Sequence, residues 1–174
     1  MDYSEKIRSA WIRSTKGLAR RPELGKTTRS VTARMTDGLT CEVESEEGWK
    51  FTADMPEVAG GNEAGAVPST FAEAAFASCL VIGYRMLFAA REVPVNTIQV
   101  ECTGVFDARG LYAVGDISPG FDGPVTYTVH VDSPADEETV VELLNQAEAH
   151  SPLIDIFKNP VELHRELHIT HTAR

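Results

Sequence analysis

Three cysteines, Cys41, Cys79 and Cys102, are the strongest nucleophiles in this 174-residue chain, and no two of them form a CxxC pair. An odd number at unrelated spacings excludes a dense disulfide framework and a zinc site built from cysteine alone, and it suits a reducing cytosol. A thiol becomes reactive when a cation, a helix N-terminus or hydrogen-bond donors favour its thiolate. Cys41 and Cys102 stand in alternating apolar series, Leu39-Cys41-Val43 and Ile98-Val100-Cys102, and read as core residues. Cys79 lies about nine residues inside an alanine-rich helical stretch, too deep for the helix dipole to help. Residue type and spacing alone read it as core as well.

The other chemistry-bearing residues say less. His164 and His168 share a face of the last stretch while His171 points the other way, so they read as an exposed tail; no metal site is expected. His130 is isolated, and His150, immediately before Ser151 at a helix junction, is the one histidine placed to take part in chemistry. There is no GxSxG nucleophile elbow. The acids Glu46/Glu47 and Asp136/Glu137/Glu138 occupy a turn and a helix start and read as solvated charge. Gly60-Gly61 lacks the GK[ST] or GxGxxG context of a phosphate cradle.

Hydrophobic periodicity supplies the elements that would position these groups. Ile7, Trp11, Ser14 and Leu18 share one face of a helix over 4–20, with Ser4 as cap and Gly17, Pro22 and Gly25 as its end. Val31-Ala33-Met35, Leu39-Cys41-Val43 and Trp49-Phe51-Ala53 alternate as three strands, joined by a type I′ signal at Asp37-Gly38 and a turn at Glu46-Glu47-Gly48. After a Gly/Ala-rich loop, a helix from about Ser69 to Ala90, capped by Thr70 or Ser69, is apolar nearly all round. Such a helix belongs at a centre, covered by sheet or by a second subunit. Two further strands follow, around 98–104 and 126–131, separated by a long loop over 108–124 with four glycines. A helix from Pro134 to Ala149, a short helix capped by Ser151 with Pro152 at its first position, and a last strand over 161–170 complete an α+β order.

Composition bounds the whole. With 43% hydrophobic residues the chain can bury a core, and a net charge of −10 argues against nucleic acid as a partner. No signal-like h-region opens the sequence, and Arg85 breaks the longest apolar run, so neither export nor a membrane span is expected. The expected location is the cytoplasm. Charge is uneven: residues 1–34 hold nine Lys/Arg against three acids, net +6, while the other 140 hold seven bases and 23 acids, net −16. A basic helical arm over 1–27 on an acidic body over 28–174 lies on acidic surface of its own or a sister chain, or meets an anionic partner.

Three stretches carry a family resemblance: GGNEAGAVPSTFAEAAFASCL, PGFDGPVTYTVHVDS and LLNQAEAHSPLIDIFKNPVEL. Together they resemble the OsmC/Ohr family over roughly residues 30–170, with a helix-opening proline eleven residues before a cysteine (Pro68 to Cys79) as one mark. The resemblance implies an intertwined α+β homodimer whose long central helices are wrapped by antiparallel sheets from both chains. In peroxidase members a cysteine on that helix attacks an organic hydroperoxide, and a second cysteine condenses with the resulting sulfenic acid. Cys79 matches the attacking position. The resolving position falls at Ser151, where a hydroxyl cannot form a disulfide. Such members also carry an arginine before the helix and a glutamate just after the proline. Here Ser69 and Thr70 follow Pro68, Lys50–Asp54 contains no arginine, and Glu73 lies about 240° around the helix from Cys79.

Three readings stay open on the sequence. One is a one-cysteine, thiol-dependent hydroperoxide reductase in oxidative-stress defence, with Cys79 as nucleophile, an external thiol as reductant and no cofactor. Another is an inactive dimer that binds a small apolar ligand at the subunit interface, near Pro68, Ser69, Thr70, Glu73 and His150. The third is a scaffold whose basic arm recruits an anionic partner.

Overall fold

A computed structural model describes residues 3–171, so the ends of the basic arm and of the C-terminal tail (1–2 and 172–174) lie outside the described residues. The element order is α1 (Tyr3–Arg20), β1 (Val31–Met35), β2 (Cys41–Ser45), β3 (Lys50–Ala53), α2 (Pro68–Ala90), β4 (Thr97–Thr103), α3 (Ala108–Leu111), β5 (Thr126–Asp132), α4 (Glu137–Glu148) and α5 (Pro152–Lys158). The architecture is α+β, with the long apolar helix against antiparallel strands, as the sequence implies.

α2 organises the body. Pro68 holds its first position, where the missing N–H costs nothing, and Val67 is the cap without a side-chain bond; neither Thr70 nor Ser69 caps it. Phe76, Leu80, Tyr84, Leu87 and Phe88 are buried against the two-stranded β4–β5 sheet, α4 and α5. β4 and β5 pair antiparallel from Thr97↔Asp132 to Thr103↔Thr126, and Ile98, Val100 and Cys102 turn toward α2 while their neighbours face out. By length and composition α2 could cross a membrane; one side of it packs on these elements, while Ile82 and Met86 stay exposed.

β1, β2 and β3 form a separate antiparallel sheet, from Val31↔Ser45 to Met35↔Cys41 and from Cys41↔Ala53 to Glu44↔Lys50. At the first turn only Gly38 has positive φ, so the type I′ geometry expected for Asp37-Gly38, which needs both residues left-handed, does not form. The expected inward face of β1 is also corrected: all its residues are exposed, Met35 by 78%, because β1 is an edge strand, whereas the sheet meets α2 through Phe51 on β3 and Phe71, ring centroids 4.7 Å apart. Trp49, beside β3, is 76% exposed.

Asp54 ties the Gly/Ala-rich loop to this sheet. It is only 1% exposed, and its carboxylate accepts from Thr40 Oγ1 (2.8 Å) and from the backbone N–H groups of Met55, Asn62 and Ala64. Gly61 and Gly65 are required by that fold-back, since a Cβ would meet Met55 O at 1.8 Å and Thr52 O at 2.2 Å. The double glycine is therefore packing, not a ligand cradle.

Other expectations need adjustment. α1 runs through Gly17 to Arg20, and Ser4, inside its first turn, accepts a hydrogen bond from Arg85 Nη2 (2.7 Å). Trp11 docks on Leu87, Phe88 and Leu143, and Arg8 pairs with Glu92 at 2.8 Å, but Ser14 and Leu18 stay exposed. The loop at 108–124 contains one helical turn, α3, capped by Asp107, and is pinned by a Phe106–Phe121 bridge. The last strand does not form: residues 161–171 pair with nothing regular, and Leu163 is 90% exposed. Alternation marks a segment able to join a sheet, but pairing also needs an open edge within reach.

Candidate functional site

α2, α4 and the α4–α5 junction bring the chemistry together. Cys79 is half-buried in the middle of α2, and its Sγ lies 3.8 Å from Ser151 Oγ, 72 residues away in sequence. Ser151 is nearly buried, accepts from Ile154 N (3.3 Å) as the cap of α5, and is followed by Pro152 at the first helical position. The cap fixes the hydroxyl, so the thiol meets a rigidly held oxygen.

Both side chains line a groove of about 870 Å³ running along α2. Trp11, Ala75, Ile82, Gly83 and Met86 give it apolar lining, and His150 and Ser151 contribute polar groups. Arg91 also lines the groove and donates to Gln146 Oε1 (3.2 Å), but it is twelve residues from Cys79, about 18 Å along the helix axis. Arg85 is engaged with Ser4 and Arg109 with Asp107, while Arg34 sits on exposed β1 opposite Glu42. No arginine therefore borders Cys79 among the described residues that line this groove.

The remaining sequence-derived positions lie elsewhere. Pro68, Ser69, Thr70 and Glu73 occupy the first turns of α2, outside the groove. Glu73 faces β4: its Oε1 comes within 3.4 Å of where a Gly104 Cβ would stand. Burial, and then the Glu73 charge, push the Cys102 thiol up, so that thiol is held in its protonated, unreactive form. Among the described residues no cluster of three metal-ligating side chains occurs.

A cluster that periodicity does not reveal stands behind Cys79. Tyr84, fully buried on α2, donates to Glu148 Oε1 (2.7 Å), and Tyr127 on β5 donates to Glu148 Oε2 (3.0 Å). Burial first, then the adjacent carboxylate, push both phenols above the ordinary tyrosine value. The signal available was a tyrosine on the core face of an apolar helix, since a buried phenol needs an acceptor.

A family model described as OsmC-like protein matches residues 60–165. No curated protein sequence matches. Among solved structures, an OsmC-like protein from Mycoplasma pneumoniae superposes with TM-score 0.64 at 14% identity, covering 76% of this chain and 89% of that one. An organic hydroperoxide resistance protein from Elizabethkingia anophelis gives TM-score 0.57 at 19% identity, with 79% and 92% covered. The organic hydroperoxide resistance protein OhrB of Bacillus subtilis gives 0.50 at 23% identity, with 74% and 89% covered. At these identities the similarity concerns the fold.

Proposed function

This chain belongs to the OsmC-like family, and from that premise we propose that it is a one-cysteine, thiol-dependent reductase of organic hydroperoxides with Cys79 as nucleophile. One observation carries the reading: the positions that the family resemblance assigns to the attacking and resolving thiols meet at 3.8 Å on one apolar groove, one still a thiol and the other a hydroxyl.

The chemistry balances with an external thiol. The Cys79 thiolate attacks the distal peroxide oxygen; an S–O bond forms, the O–O bond breaks, and the alkoxide leaves as the alcohol after taking a proton. His150, on the same groove, is the side chain proposed to deliver that proton. Ser151 can donate a hydrogen bond to the thiolate but cannot condense with the sulfenic acid. An external thiol therefore displaces water to form a mixed disulfide, and a second one releases Cys79 and leaves as the external disulfide.

Two observations support a homodimer. Ile82 in the middle of α2 is 59% exposed, and the β1–β3 sheet is bare on its β1 side. A second copy would cover both and would also supply an edge for the unpaired 161–171 segment. The basic arm over 1–27 is proposed as an addition to the 28–174 domain, docked on it by α1 through Trp11 and Arg8.

A second reading has its own support: a groove of about 870 Å³ with apolar lining suits storage of a small apolar ligand without chemistry. Steady-state consumption of cumene hydroperoxide with dithiothreitol separates the two. The reductase reading expects turnover that disappears in Cys79→Ser; equal turnover by both proteins would remove Cys79 as nucleophile.

A further inference from the structure

Tyr84, Tyr127 and Glu148 belong to three different elements, and the Glu148 carboxylate takes a hydrogen bond from each of the two tyrosines. Tyr84 lies five residues beyond Cys79 on α2, about one and a half turns. Glu148 is the last residue of α4 and lies three residues before Ser151, whose backbone N–H donates to Glu148 O at 3.1 Å. Whatever fixes the end of α4 to α2 and β5 therefore also fixes the turn that presents Ser151 to Cys79.

We propose that Glu148 is the positioning residue of the Cys79–Ser151 pair, holding the α4–α5 junction in register with α2 through its two tyrosine donors. A carboxylate suits this task because each oxygen takes one phenol, with charge-assisted strength. An uncharged residue of similar shape could satisfy only part of it. The inference rests on the reading of Cys79 and Ser151 as the reacting pair, but it concerns their spacing and not peroxide chemistry.

Ser151→Cys turns that spacing into an equilibrium. In a buffer of reduced and oxidised dithiothreitol, Cys79 and the introduced thiol lose two electrons and two protons to the oxidised reagent, forming one disulfide and the reduced dithiol. Peptide mapping locates the bond and gives its equilibrium constant. Ser151→Cys is expected to form the Cys79 disulfide readily. Adding Glu148→Ala should lower the constant at least tenfold, about 30 mV for a two-electron couple. Glu148→Gln and Tyr127→Phe should lower it less. Leu143→Ala, which loosens α4 in the other core cluster, should leave it within threefold.

An unchanged constant in Glu148→Ala, or an equal fall in Leu143→Ala, would overturn the proposal. If Glu148→Ala does not fold, unchanged constants in both Glu148→Gln and Tyr127→Phe would do so. Absence of any disulfide in Ser151→Cys would overturn it too. No step involves peroxide, so inert wild-type protein in the hydroperoxide assay would refute the reductase reading while leaving this test intact.

Discussion

Ser151 has two tasks that can be separated by substitution. It caps α5 and it faces Cys79, so Ser151→Ala should lower stability by about 1 kcal/mol, as cap losses do. Thermal unfolding of the variant measures the first effect and the alkylation rate of Cys79 the second. Tyr84 offers a sharper case. Its folded pKa is raised, so its contribution to stability is fully present below the unfolded value of about 10 and is lost as pH rises beyond it. Tyr84→Phe should cost about 1–3 kcal/mol near neutrality, because Glu148 loses a buried donor. It should also flatten the alkaline loss of stability above pH ~10, read by chemical denaturation across that range. Asp54 runs the other way. Burial would raise its pKa, but the donors from Met55, Thr40, Ala64 and Asn62 outweigh burial and hold it below about 3.8. Its stabilisation is present above that value and lost as pH falls through the folded pKa, so Asp54→Asn should be less stable at neutral pH and less sensitive to acid.

At the scale of elements, α2 bears most of the burial, and Leu80→Ala should cost about 2–5 kcal/mol in equilibrium unfolding, since Leu80 is 1% exposed. Its apolar composition made this helix legible in the sequence, as did the Pro68 start and the Ser151-Pro152 start of α5. Strand alternation correctly placed Cys102 toward α2. It overreached at 161–170, because Val161, Leu163, Leu167 and Ile169 record what a strand would bury without recording which edge accepts it. Cys79 and Ser151 as a pair were legible only through the family resemblance. The Tyr84–Glu148–Tyr127 cluster was not legible, since it joins three elements whose mutual packing no local pattern encodes. The same holds for Arg91, whose place on the groove follows from how α4 crosses α2.

For the whole molecule, the central question is what covers the exposed parts of α2 and the β1–β3 sheet. A second copy would leave Ile82 in an apolar contact, so the wild-type chain should sediment as a dimer and Ile82→Asp should shift sedimentation equilibrium toward monomer. The net +6 of residues 1–34 and the net −16 of residues 35–174 give such a pair a charge-complementary surface, which higher salt should weaken. These predictions bear on assembly; the function rests on one sulfur atom. The most direct measurement exposes the protein to one equivalent of cumene hydroperoxide, traps sulfenic acid with dimedone and maps the adduct by peptide mass spectrometry. The account predicts the adduct on Cys79, with matching loss of peroxide that Cys79→Ser does not cause. Unconsumed peroxide with Cys79 unmodified, or an adduct on Cys41 or Cys102 instead, would contradict it.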